Sequence, residues 1–171
     1  QVGPITTRPQ LAKILDYIEI AKAEGARLVL GGKRATDPAC GNGWFIEPTI
    51  FTDVGPRMRI AQEEVFGPVL AVIPFDSDEE AIEIANGTIY GLAAGVWTQS
   101  MARALTMSQK LKAGTVWINT YRAVSYMSPF GGFKRSGIGR ESGLSAIREY
   151  LQEKSVWIDI SGNVPNPFVQ R

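Results

Sequence analysis

The chain has 171 residues, with 18 Lys and Arg against 17 Asp and Glu, one cysteine and no histidine. The lack of histidine excludes Ser-His-Asp and Cys-His nucleophile pairs and His-ligated zinc, and a lone cysteine cannot close an internal disulfide. The net charge of +1 gives no basic field for nucleic acid, and no apolar run reaches the roughly 20 residues that a membrane helix needs. We therefore expect no metal site, no nucleic-acid partner and no membrane span.

The first half of the chain predicts one helix and several short strands. A helix over residues 9–24, which ends at Gly25, has an apolar face made of Leu11, Ile14, Leu15, Ile18 and Ala21. Strands are predicted at 28–30, 44–46 and 49–51, with a polar loop at 33–43.

The second half alternates strands with helices. Residues 69–73 form a continuous apolar run, which is typical of a strand buried on both faces in a parallel sheet. Ser77 and Glu80 form a capping box ahead of a helix that runs through Ala85. A strand at 92–97, a helix at 101–111 and a strand at 115–118 follow, and a short helix at 144–151 and a strand at 156–160 end the pattern. This β-α-β-α-β order predicts an α/β fold.

Few residues suit catalysis. Cys40 lies in a glycine-rich polar loop with no adjacent base, so we interpret it as an incidental loop cysteine. The pair Glu63-Glu64 is followed at once by Phe66 and a buried strand. It is either solvated surface or a ribose-binding carboxylate beside an aromatic that packs on a planar base.

Residues 128–143 form the densest glycine cluster of the chain. Gly137, Gly139 and Gly143 miss the dinucleotide-binding G-x-G-x-x-G spacing by one residue, and the Walker spacing is absent. Composition alone leaves two interpretations open: a phosphate cradle, or a tight crossing of backbone segments that only glycine allows.

Several motifs occur in an order that resembles the NAD(P)-dependent aldehyde dehydrogenase superfamily. They are EEVFGPV at 63–69, YGL at 90–92, GTVWIN at 114–119, PFGGFK at 129–134 and SGIGRE at 136–141, with VGP at 2–4, EPTIF at 47–51 and EY at 149–150 as further matches. The resemblance covers nearly the whole chain and places it in the C-terminal portion of such an enzyme. We therefore expect a further segment ahead of Gln1.

The resemblance implies oxidation of an aldehyde to a carboxylic acid with NAD or NADP. In this family a cysteine thiolate attacks the aldehyde, hydride passes to the cofactor, and the resulting thioester is hydrolysed. No residue of this chain matches the nucleophilic cysteine, the general-base glutamate or the oxyanion-stabilising asparagine. The isolated chain is therefore expected to have no catalytic residue and no activity of its own.

The resemblance also implies roles for individual residues. Glu64 matches the carboxylate that holds the nicotinamide ribose, and Phe66 matches the aromatic beside the nicotinamide. Phe130 matches an aromatic of the aldehyde pocket, and Tyr121 and Met127 bound a variable stretch that shapes the substrate tunnel. Asn119 is expected to have only a structural role.

Two regions follow from this comparison: residues 1–151 as part of the catalytic α/β domain, and 152–171 as an oligomerisation strand and tail. The strand would pair with a partner subunit in a homodimer or homotetramer, and a cytoplasmic location is expected. One alternative is a stand-alone binding or oligomerisation module without activity. Another is a reductase of the same superfamily that acts on acyl phosphates or acyl thioesters.

Overall fold

The computed structural model describes residues 2–162 and residue 168. Its α-helices are α1 (Arg8–Ala23), α2 (Arg59–Gln62), α3 (Asp78–Asn86) and α4 (Met101–Lys110). Its strands are β1 (Arg27–Leu30), β2 (Thr49–Thr52), β3 (Val69–Ala71), β4 (Ala93–Val96) and β5 (Thr115–Ile118). Short 3-10 helices cover Pro38–Cys40, Lys134–Ser136 and Leu144–Tyr150. No helix among the described residues is both long and apolar enough to cross a membrane.

The amphipathic pattern of the first helix is confirmed. The Thr7 side chain caps α1 by accepting a hydrogen bond of 3.3 Å from the Gln10 N–H. Beyond the helix, Gly25 has a φ of +96°, a conformation that glycine adopts without strain. The predicted apolar face is buried at Leu11, Ile14, Ile18 and Ala21. This face packs into the main hydrophobic core, where Phe51 of β2 is completely buried.

The first sheet has the order β1-β2-β3, with β1 antiparallel and β3 parallel to β2. The expectation that residues 69–73 are buried on both faces is wrong, because Leu70 is 56% and Val72 is 41% exposed. Side chains alternate between the two faces of a strand, and only the face with Val69, Ala71 and Ile73 packs against the main core, which leaves the opposite face with Leu70 and Val72 open. The strand predicted at 44–46 is reduced to an isolated bridge between Arg34 and Ile46.

The second sheet consists of β4 and β5, which are parallel. The helix α3 begins at the predicted cap, where the Ser77 hydroxyl accepts from the Glu80 N–H at 3.1 Å. The Glu80 carboxylate reaches back to the Asp76 N–H at 2.7 Å. The α/β class and the parallel pairings are therefore confirmed, although the strands form two mixed or short sheets instead of one parallel sheet.

The end of the described chain differs from the prediction. The helical pattern at 144–151 forms a 3-10 helix over Leu144–Tyr150, and residues 152–160 form no strand. A strand needs a hydrogen-bonded neighbour, and the sheets of the described residues contain none for this segment. The predicted tail at 163–167 and 169–171 lies outside the described residues.

Candidate functional site

The turn over residues 63–67 connects α2 to the start of β3 and carries the predicted cofactor contacts. Phe66 occupies the left-handed region with a φ of +56°, which is uncommon for an aromatic residue. Its side chain is 69% exposed, although residues of this type are usually buried. The turn therefore presents an aromatic ring to the outside from a strained backbone position.

The two glutamates of the turn differ in their partners. The Glu63 carboxylate accepts two hydrogen bonds of 2.9 Å from the Arg59 guanidinium and a third from the Tyr17 hydroxyl. Hydrogen bonds from Arg59 and then from Tyr17 lower the pKa of Glu63 to about 2. Within the part of the chain that the structure describes, the Glu64 carboxylate has no hydrogen bond and no ion pair. Glu63 is thus engaged in the fold, whereas Glu64 has both carboxylate oxygens available.

The backbone of the turn is held by the first helix. The Gln10 amide nitrogen donates to the carbonyl oxygens of Val65 and Phe66, at 2.9 and 3.1 Å. The Lys13 ammonium donates to the carbonyl oxygen of Glu64 at 2.8 Å. Sequence reasoning missed both side chains. The sequence does contain a signal for them. Gln10 and Lys13 are three positions apart, so they lie on one side of the predicted helix, beside its apolar face.

A groove of about 540 Å³ opens beside Glu64. It lies between the turn and the segment that leads into β4, and residues 61–64 and 90–94 contribute to its walls. A carboxylate at such an edge can accept hydrogen bonds from the two vicinal hydroxyls of a ribose. Phe66 does not line this groove, but its exposed ring offers a face for a planar heterocycle at the same turn. The residues of the turn therefore fit a nicotinamide nucleotide, with Glu64 and not Glu63 as the free acceptor.

The predicted substrate residues are only partly brought together. Phe130 is half-buried, and its backbone pairs with that of Glu141 through two hydrogen bonds of 2.7 Å. It lines a groove of about 360 Å³ together with residues 123–126. Tyr121 packs edge-on against Trp117 with 5.7 Å between ring centroids, and Met127 is 72% exposed. Neither Tyr121 nor Met127 lines the groove beside Phe130.

The glycine-rich loop forms a tight crossing of backbone segments. A Cβ on Gly114 would lie 1.7 Å from the carbonyl oxygen of Gly131, and one on Gly131 would lie 2.3 Å from that of Gly139. The Ser136 hydroxyl accepts a 3.0 Å hydrogen bond from the Gly91 N–H. Of the two interpretations left open by composition, this geometry favours the close backbone crossing.

Asn119 has the structural role expected of it. Its side-chain oxygen accepts from the Thr98 N–H, and its side-chain nitrogen donates to the Thr98 carbonyl, both at 2.8 Å. The side chain thereby ties the end of β5 to the loop that follows β4.

Cys40 is a half-buried residue at the end of the Pro38–Cys40 3-10 helix, and its thiol is free. Asp37 accepts from the Ala39 N–H through its carboxylate and from the Cys40 N–H through its carbonyl oxygen. Among residues 2–162 and 168, no group of three His, Cys, Asp or Glu side chains is placed to hold a metal ion.

Comparisons with known proteins identify the family. The model of the aldehyde dehydrogenase family matches residues 1–156. Betaine aldehyde dehydrogenases of Cereibacter sphaeroides and Brucella anthropi are each 49% identical over 168 residues, which are 98% of this chain and 34% of those proteins. The chain thus spans about a third of the length of these curated relatives.

Solved structures agree with this match. The NAD+ complex of an aldehyde dehydrogenase from Bacillus cereus is 51% identical, with a TM-score of 0.86 over 94% of this chain and 32% of that one. An apo mutant of the Staphylococcus aureus betaine aldehyde dehydrogenase is 42% identical, with a TM-score of 0.89 over 99% of this chain and 34% of that one. The chain belongs to the aldehyde dehydrogenase family.

Proposed function

We propose that this chain is a segment of a longer NAD(P)+-dependent enzyme that oxidises an aldehyde to a carboxylic acid through a cysteine thioester. The family match over residues 1–156 and the likeness to NAD+ complexes support this activity. The nucleophilic cysteine and the general base lie outside the segment, and the order of its motifs supports a place after that cysteine. The segment by itself is inactive, and the proposed location of the whole enzyme is the cytoplasm.

The observation that carries the proposed role is the contrast within the acidic pair. Arg59 and Tyr17 occupy the Glu63 carboxylate, which leaves Glu64 free to accept the hydroxyls of the nicotinamide ribose. When bound, NAD(P)+ supplies the hydride acceptor. Glu64 orients the nucleotide through its ribose, and the exposed Phe66 ring packs beside the nicotinamide.

Glu64→Gln in the longer enzyme tests this role. The substitution keeps the size of the side chain but removes its charge and one acceptor position, and hydrogen bonds to charged groups contribute about 1.5–3 kcal/mol. We expect KM for NAD+ to rise, or single-turnover hydride transfer to slow, by about tenfold or more. Glu79→Gln, an exposed position in the first turn of α3, is the matched control. Unchanged single-turnover kinetics together with an unchanged KM for NAD+ in Glu64→Gln would exclude Glu64 from the site.

We also propose that Phe130 forms a wall of the aldehyde pocket and that Tyr121 and Met127 contribute to the substrate tunnel. The half-buried Phe130 ring beside a groove supports the first role, and the exposure of Tyr121 and Met127 supports a surface role near an entrance. Phe130→Ala is expected to change KM for the aldehyde while leaving KM for NAD+ within twofold. An equal change in both constants would argue against a pocket role.

A partner subunit is the proposed binding target of residues 156–160. Val156, Trp157, Ile158 and Ile160 are each at least 70% exposed, and the segment has no sheet neighbour within the described chain. Such an exposed apolar segment suits β-strand addition to a partner in a homodimer or homotetramer. The same observation supports the second candidate function, a binding or oligomerisation module without catalysis.

Light scattering at several concentrations tests the assembly. Ile158→Pro removes one backbone donor from the segment and should shift the longer enzyme toward smaller species. Gln152→Pro is the control, because Leu151 has a ψ of 150° that tolerates a following proline. An unchanged mass for Ile158→Pro would rule out pairing through this segment.

A further inference from the structure

We propose that one face of α1 positions the cofactor-contacting turn. This face, the α1 stripe, consists of Gln10, Lys13, Ile14 and Tyr17, which follow the i, i+3, i+4, i+7 spacing of a helix. All four side chains contact residues of the 63–67 turn or approach them closely. They are positioning residues, and the inference rests on the function proposed above.

The polar members of the α1 stripe hold the backbone of the turn. Gln10 and Lys13 together donate to three consecutive carbonyl oxygens, those of Glu64, Val65 and Phe66. Residues at positive φ cost free energy and persist only when their surroundings hold them in place. The donors from α1 therefore help to stabilise the conformation that exposes the Phe66 ring.

The remaining members hold the two ends of the turn. Tyr17 donates from its hydroxyl to the Glu63 carboxylate, which Arg59 also binds. Ile14 is completely buried and lies directly against Gly67, where an added Cβ would come within 2.6 Å of the Ile14 Cδ1 atom. Each residue of the turn is thus held by α1, through its backbone, its side chain or its packing.

Different parts of Glu64 are anchored to α1 and available to the cofactor. Its carbonyl oxygen is held by Lys13, while its carboxylate has no partner among the described residues. A carboxylate on a fixed backbone loses less conformational entropy when it binds a nucleotide than one on a mobile loop. Loosening the α1 stripe should therefore weaken cofactor binding without touching the aldehyde.

The test uses Gln10→Met and Lys13→Met in the longer enzyme, because methionine keeps much of the side-chain length but removes the donors. Each variant is expected to raise KM for NAD+ by about two- to tenfold, the usual effect of one or two lost hydrogen bonds. KM for the aldehyde at saturating NAD+ should stay within twofold. Lys13→Arg retains a donor and should restore most of the affinity.

Gln109→Met on α4 and Lys22→Met at the far end of α1 are the matched controls. The Lys22 ammonium pairs with Glu19 at the surface, and neither control contacts the turn in the described structure. Both should leave KM for NAD+ unchanged. If the controls raise it as much as Gln10→Met and Lys13→Met do, the effect is a general loss of stability and the inference is wrong.

Combination with Glu64→Gln separates positioning from direct contact. If the α1 stripe acts through the turn, its variants should raise KM for NAD+ less in the Glu64→Gln background than in the wild type. If the fold-changes in KM for NAD+ caused by the single substitutions simply multiply in the double variants, Gln10 and Lys13 contact the cofactor independently of Glu64. That result would overturn the inference. If KM for NAD+ rises in Glu64→Gln but in neither methionine variant, this inference is overturned while the proposed site stands. If Glu64→Gln changes neither KM for NAD+ nor the single-turnover rate of hydride transfer, the proposed site is overturned and the role of the stripe with it.

Discussion

The close contact between Ile14 and Gly67 makes a quantitative prediction about stability. Ile14 is completely buried, so Ile14→Ala should cost about 2–5 kcal/mol through lost burial and the cavity that remains. A Cβ at Gly67 would lie 2.6, 2.7 and 3.1 Å from Cδ1, Cγ1 and Cγ2 of Ile14. Carbon atoms in contact are normally about 3.5–4.0 Å apart. Gly67→Ala alone should therefore cost about 1–3 kcal/mol by overpacking.

The double variant tests the physical argument. In the Ile14→Ala background all three of the atoms nearest to the new methyl group are gone, and the methyl group enters the vacated space. Gly67→Ala should then cost at least about 1 kcal/mol less than it does in the wild type. Gly55→Ala is the control, because its nearest atom would be 3.8 Å away.

Urea unfolding of the chain, followed by far-UV circular dichroism, measures these differences. The four proteins of the cycle should show similar m-values, since the core is otherwise the same. If Gly67→Ala costs the same in both backgrounds within about 0.5 kcal/mol, the methyl group does not meet Ile14 and the packing argument fails.

Three further predictions concern the loop crossing, the end of β5 and the acidic pair. Gly114→Ala should destabilise the chain by about 3 kcal/mol or more in urea unfolding, because the carbonyl oxygen of Gly131 blocks the new methyl group at 1.7 Å; a wild-type midpoint would contradict this. Asn119→Ala should lower the free energy of unfolding by about 1–3 kcal/mol in the same measurement, since both backbone groups of Thr98 lose a partner. Asn119→Gly should lower it less, because glycine adopts the φ of +52° at this position without strain. Because the pKa of Glu63 is lowered from 4.5 to about 2, its stabilising effect is complete above about pH 4.5 and is lost as the pH falls through about 2. Acid titrations should therefore show a shallower loss of stability for Glu63→Gln than for the wild type between these values, and parallel curves would refute that role.

Local patterns predicted the elements of the chain well where local interactions decide them. The start of α3 follows from the Ser77 cap, and the end of α1 follows from Gly25, because both depend on residues within one helical turn. The prediction that β3 is buried on both faces is wrong because burial depends on what packs on each face, and only one face of β3 meets the core. Residues 156–160 form no strand because a strand needs a hydrogen-bonded neighbour, and the sheets of the described residues contain none for them.

In the candidate site, too, some features follow from the local sequence and others from tertiary contacts. The motif at 63–69 identified the turn, and a resemblance to the family selected Glu64 within it. The i, i+4 spacing of Arg59 and Glu63 is a local signal for an ion pair at Glu63. The contact of Tyr17 with Glu63, and the lack of a partner for the Glu64 carboxylate among the described residues, are visible only in the fold. Likewise, Phe130, Tyr121 and Met127 are close in sequence, yet only Phe130 lines the groove. Their relative orientation depends on a loop without a regular period, which sequence patterns do not describe.

The sequence by itself excluded histidine-based and disulfide chemistry, because those need residue types that the chain lacks or has only once. It also determined the α/β class and the family, since ordered motifs and hydrophobic periods are properties of the chain. The i, i+4 pair of Arg59 and Glu63 is local, but only the tertiary structure decided that Tyr17 also binds Glu63 and that α1 holds the turn. The contacts of Tyr17 with Glu63 and of Lys13 with Glu64 join residues 46 and 51 positions apart, and such contacts exist only once the helix and the turn have packed together.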